Sequence, residues 1–70
     1  MENKYVIKNL NNNGYYKGRE YVDWTKDIDS AAKFDNLGSI KDEIDYCGQN
    51  GFDMFDGITF QVISVYEVNL

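Results

Sequence analysis

Histidine is absent from these 70 residues. With it go the catalytic triads that use imidazole as base and the usual histidine-based zinc and haem sites. Cysteine is nearly absent. A secreted chain this short ordinarily carries several paired cysteines, so the lone Cys47 points to a reducing compartment, and the expected location is the cytoplasm. Long apolar runs are missing too. Met1-Glu2-Asn3-Lys4-Tyr5-Val6-Ile7-Lys8 meets a polar residue before a signal peptide could form, and no later stretch approaches the length of a bilayer span. Neither secretion nor a membrane partner is expected. Finally, positive charge is missing from the C-terminal part: Lys4, Lys8, Lys17, Arg19, Lys26, Lys33 and Lys41 are followed by Asp42, Glu43, Asp45, Asp53, Asp56 and Glu67 with no basic residue among them. The formal net charge of -5 argues against direct binding to nucleic acid, whose protein partners usually present a basic stripe.

What is present is apolar surface in large pieces. Apolar residues make up 43% of the chain and aromatic rings 16%, which is the composition of a foldable domain. Rings matter in a chain near the lower size limit for a single core, because each removes a large area from water. One domain over residues 1–70 is expected, as a monomer or homodimer.

The order of elements follows from local patterns. Tyr5 to Leu10 is aromatic and branched, and Asn11-Asn12-Asn13-Gly14 ends in the Asn-Gly pair that favours a hairpin turn. A second strand is predicted from Tyr15-Tyr16, loosening at Gly18 and resuming through Tyr21-Val22-Asp23-Trp24. Asp27 or Thr25 can cap a helix in which Ile28, Ala31, Ala32 and Phe34 fall on neighbouring turns. Ser39 and Asp42 resemble a capping box for a second helix carrying Ile40, Ile44 and Cys47, which Gly48 would close in the left-handed conformation. Phe52 to Phe55 is predicted as a short strand and Asp56-Gly57 as a turn. In the last strand Ile58, Phe60, Val62, Tyr66 and Val68 alternate on one face, with Ile63 and Val65 on the other, a pattern that suits the middle of a sheet. The expected fold class is α+β: a small antiparallel sheet of three or four strands, in ββα(α)ββ or ββαβ order, with one or two short helices packed on one face.

Chemistry is sparse. Cys47 falls on the apolar stripe near the carboxyl end of a helix, where the dipole disfavours a thiolate, so it reads as a structural thiol. Carboxylates are plentiful, but acid–base work needs a pair held apart in a walled cleft that so short a chain can hardly build. Asn9, Asn11, Asn13, Gly14 and Glu20 match the spacing of a calcium loop yet supply one carboxylate between predicted strands rather than helices. The chain is therefore read as no enzyme, with no catalytic residue, no metal and no cofactor. The strongest binding candidate is the acidic and aromatic stretch comprising Asp42, Glu43, Asp45, Tyr46, Phe52, Asp53, Phe55 and Asp56, which suits a protein partner with a basic surface, charge steering the encounter and rings supplying affinity. The competing reading has the acids solvated and the rings in the domain's own core. If the acids converge without basic partners, their repulsion should be relieved by salt and by mild acid. A second candidate set, Tyr15, Tyr16, Lys17, Arg19, Tyr21 and Trp24, interleaves rings with cations as a nucleotide-like ligand would require. A third reading is a self-assembling structural component that pairs through an edge strand.

Tyr5-Val6-Ile7-Lys8-Asn9, Gly14-Tyr15-Tyr16 and the run from Trp24 to Phe34, with its Trp-Thr and Ala-Lys-Phe elements, together resemble a layout found among small uncharacterised bacteriophage and prophage proteins. The likeness covers about the first half of the chain. It implies an accessory protein of a mobile element, acting in the host cytoplasm, with Trp24 and Phe34 pinning a helix to a sheet. Small acidic phage proteins include inhibitors of host defence nucleases such as anti-CRISPR proteins, so binding and inhibiting or modulating a nucleic-acid-handling defence protein of the host is the implied activity.

Overall fold

The computed structural model describes residues 2–21 and 23–67. Four strands form one antiparallel sheet: β1 (Glu2–Asn9), β2 (Gly14–Tyr16), β3 (Trp24–Thr25) and β4 (Phe60–Glu67), in the spatial order β3-β2-β1-β4. Among the described residues one α-helix, α1 (Leu37–Gln49), packs on one face. This is the α+β fold expected, with a third short strand placed before the helix.

Strand alternation sorts the sheet's faces. Tyr5 and Ile7 of β1, Tyr16 of β2, Trp24 of β3 and Phe60 and Val62 of β4 share the face that meets Ile40 and Ile44 of α1, and this is the core. Val6, on the opposite face beside Ile63, is fully buried as well.

The hairpin between β1 and β2 is held by its asparagines. Asn9, itself buried, accepts the Asn11 amide through its side chain and the Asn13 amide through its carbonyl, both at 2.8 Å. The Asn11 side chain accepts the Thr59 amide at 2.9 Å, tying the turn to the approach of β4. Asn13, at φ 61°, takes the left-handed conformation. Gly14 is needed for a different reason: a Cβ there would lie 2.7 Å from the Trp24 Cβ.

Several expected elements form differently. Residues 31–34 are not helical. Asp27 caps only a 3-10 turn, Ile28–Ser30, and Lys33 closes it by donating to the carbonyls of Ile28, Asp29 and Ala31. Beyond it the chain is drawn into the sheet, since the Ala32 amide donates to Tyr16 at 2.8 Å and Tyr5 and Phe34 exchange both backbone bonds at 2.9 Å. Non-local ladder bonds thus override a helical spacing of apolar residues. Phe34 still meets Tyr16, stacked at 6.4 Å, but from an extended segment. The resumed strand shrinks to β3; Tyr21 and Asp23 are exposed outside it, and Val22 lies outside the described residues. Phe52 to Phe55 forms no strand: Phe52 and Asp53 are irregular, and Met54 and Phe55 belong to a turn. β4 lies at the sheet edge, and the middle position falls to β1, which pairs on both sides. Val68 lies outside the described residues.

The helix is also capped by other residues than expected. Asn36 is the N-cap, accepting the Ser39 amide at 2.8 Å. Gly48 remains inside α1, and Gly51, at φ 76°, takes the left-handed position. The Phe52 amide then reaches back to the Cys47 carbonyl at 2.9 Å, the long bond of a Schellman motif.

Candidate functional site

That helix ending creates the most exposed pair of rings in mutual contact among the described residues. A Schellman motif commonly brings the residue after the left-handed one against the last turn of the helix. Here it sets Phe52 on Tyr46, near-parallel with centroids 6.2 Å apart, while leaving them 37% and 40% exposed.

Arg19 arrives from the loop after β2, where Gly18 at φ 125° and a Tyr21-to-Gly18 backbone bond of 3.1 Å turn the chain. Its guanidinium lies 3.7 Å from the Tyr46 ring centroid and donates to both oxygens of Glu43, at 2.5 and 3.3 Å. Glu43 is half-buried on the sheet-facing side of α1 and also accepts the Tyr16 hydroxyl at 2.6 Å. The Cys47 sulfur, fully buried, lies 3.6 Å from the same hydroxyl. The Arg19 hydrogen bonds hold the Glu43 carboxyl below its ordinary range against the opposing effect of burial, and Glu43 in turn raises the Arg19 pKa. Burial first, and the bonds to Glu43 and Cys47 next, push the Tyr16 phenol far above its ordinary value of 10.0.

Beside this network lies an open cleft of about 660 Å³ lined by Arg19, Glu20, Gly51, Phe52, Asp53 and Met54. Phe52 and Met54 give it apolar walls, Glu20 and Asp53 give it negative charge, and its one cation is already engaged by Glu43. Such a site suits a cationic group on an apolar stem.

The expected docking residues divide into three groups. Tyr46, Phe52 and Asp53 come together with Arg19 at the cleft. Asp42, Asp45 and Asp56 are exposed, Asp45 with Lys41 at 3.0 Å. Glu43 and Phe55 turn inward: the carboxylate is taken by Arg19 and Tyr16, and the Phe55 ring packs 5.1 Å from Tyr16, 5.8 Å from Trp24 and 5.5 Å from Phe60. Two of the five acids expected to repel one another, Glu43 and Asp45, thus have basic partners.

The residues read for a nucleotide-like ligand are not brought together at one site, although Tyr16 and Trp24 pack with ring centroids 5.9 Å apart. Tyr15 and Tyr16 point to opposite faces of the sheet, Tyr16 is buried, and Trp24 sits in the core. Lys17 covers the exposed Tyr21 ring at 4.6 Å and pairs with Asp23 at 3.7 Å.

The cleft also uses Glu20, which the sequence marks only as the last position of the calcium-loop spacing, and Gly51 and Met54, which no motif marks; only adjacency to Arg19 and Phe52 in sequence could have suggested them for this site. Among the described residues, no three Asp, Glu or Cys side chains are placed to share a metal ion, and no helix is long and apolar enough to cross a membrane. Compared with known proteins, the chain matches no protein family, no curated protein and no solved structure.

Proposed function

We propose that this protein is a non-enzymatic binding module that docks the cleft between Arg19 and Met54, with the Tyr46–Phe52 pair at its rim, onto a basic, partly apolar patch of a partner protein. The observation that supports this reading is the combination of exposed rings with uncompensated acid. Tyr46 and Phe52 offer apolar area at the surface, Glu20 and Asp53 supply charge, and Glu43 cancels the local cation. Rings in such a setting provide most of the affinity, while acids speed and orient the encounter.

The net charge of -5 favours the same class of partner, and basic grooves are what nucleic-acid-handling proteins present. The resemblance of the first half of the chain to small phage proteins makes inhibition of a host nuclease, in the manner of an anti-CRISPR protein, the form of this function to test first.

Immobilised protein, compared with its Phe52→Ala and Asp53→Lys variants, tests the reading against bacterial lysate at low and high salt. The same protein should be retained by the wild type at low salt, lost at high salt, and weakened on both variants. Retention that ignores salt and both substitutions would overturn the reading.

A further inference from the structure

The two edges of the sheet are built differently. At one edge β3 is two residues long and runs directly into Lys26 and Asp27, and a short, charged edge does not invite another strand. At the other edge β4 extends for eight residues. From Gly57 to Tyr66 there is no charged side chain, in a chain of which 27% is charged. The segment has no proline, and its register with β1 is unbroken from Phe60 to Glu67, so no bulge turns it away. Phe60 and Val62 enter the core under α1, and Ile63 and Val65 are half-buried on the opposite face. A strand apolar towards both faces has the make-up of an interior strand, yet among the described residues β4 has a neighbour on one side only.

The backbone phase shows what is left unpaired. Tyr5 exchanges its bonds with Phe34, on the side away from β4, and the Leu10 amide donates to the Thr59 carbonyl. The even-numbered residues of β1 therefore face β4, opposite Gln61, Ile63 and Val65. The amides and carbonyls of Phe60, Val62, Ser64 and Tyr66 point out of the sheet, and among the described residues no backbone hydrogen bond reaches them.

We propose that β4 pairs antiparallel with β4 of a second copy across a two-fold axis at Ile63, joining two four-stranded sheets into one. The register is fixed by the outward groups. Phe60 of one copy opposite Tyr66 of the other, and Val62 opposite Ser64, is the alignment in which all four outward residues exchange both of their bonds. The occupant is a second copy because the strand offers nothing to a charged partner, whereas against itself it meets an uncharged strand of equal length, with Glu67 falling opposite Thr59 rather than a like charge. The isologous pairing consumes both open edges and leaves only the two blunt β3 edges outside. It uses a different part of the molecule from the docking cleft and does not depend on that reading.

Light scattering during size-exclusion chromatography is expected to give twice the 8.1 kDa chain mass, halving on dilution. Ser64 is exposed, and its amide points away from β1, so Ser64→Pro removes an outward donor and no backbone bond of the sheet, while the bond from the Ser64 hydroxyl to the Asn3 side chain is lost in either Ser64 variant. Ser64→Lys places like charges near the axis without constraining the backbone. Both variants are expected to run at the single-chain mass, with the circular dichroism of Ser64→Lys unchanged. In the wild type the amides of Phe60, Val62, Ser64 and Tyr66 should exchange with deuterium as slowly as those of Ile63 and Val65. A single-chain mass at every concentration, or a double mass that survives both substitutions while those four amides exchange fast, would overturn the proposal.

Discussion

Two sets of aromatic rings live in different surroundings in this protein. Tyr16, Trp24, Phe34, Phe55 and Phe60 pack between sheet and helix, whereas Tyr46 and Phe52 stack at the surface. One polar relay joins them: the hydroxyl of the buried Tyr16 ring donates to Glu43, Glu43 holds Arg19, and Arg19 covers Tyr46. The difference teaches that ring count alone says little about role. The inner set holds the fold, the outer set is held in place by it, and Glu43 is the joint between them.

The sharpest way to separate the two sets is to remove one ring from each. Phe55→Ala takes away a ring in contact with three others and is expected to cost about 3 kcal/mol, read by urea titration. A loss below about 1 kcal/mol would move Phe55 out of the inner set.

The relay comes next. Tyr16→Phe keeps the ring and deletes the bond to Glu43, for an expected loss of about 1–2 kcal/mol at neutral pH. Because burial raises the folded-state phenol pKa, Tyr16 contributes fully below its ordinary value of 10.0, and that contribution fades as pH rises beyond it. The Phe variant should lack this alkaline loss.

Glu43→Gln should cost somewhat less, about 1 kcal/mol, since Arg19 is partly exposed to solvent. The Glu43 carboxyl is held below its ordinary 4.5, so its contribution is present above that value and disappears as pH falls through the lower folded one. Melts at neutral and acid pH should therefore differ less in the Gln variant than in the wild type. An equal or larger difference would mean that the acid sensitivity arises elsewhere.

The smallest effect on stability is expected at the outer set. Phe52→Ala should change unfolding by no more than about 0.5 kcal/mol while weakening capture of the basic partner. If it destabilises as much as Phe55→Ala, the distinction between the two sets collapses.

How much of this was legible in the sequence depends on whether the deciding contact was local. The Asn11 to Gly14 turn and the strands beside it were readable because the turn chemistry lies within a few residues. So was α1, from Ile40, Ile44 and Cys47, although its caps shifted to Asn36 and Asn50. Ala31 to Phe34 misled because its helical spacing competes with bonds to Tyr5 and Tyr16, distant in the chain. β4 misled in position: alternation reports what covers the two faces of a strand, and nothing in it counts hydrogen-bonded neighbours. At the site, the acidic and aromatic composition was visible. The Arg19–Glu43 pair, spanning 24 positions, was not, and that pairing turns one expected docking charge into a fastening.

Cys47 gives the molecule a built-in clock. Its sulfur is fully buried between α1 and the Tyr16 hydroxyl, so a thiol-alkylating reagent can reach it only when helix and sheet part. With reagent in large excess, the rate of alkylation is the rate at which that contact opens; with reagent scarce, it follows the fraction of molecules open at any moment. Because the chain has a single thiol, every modified molecule records one such opening, with no label introduced.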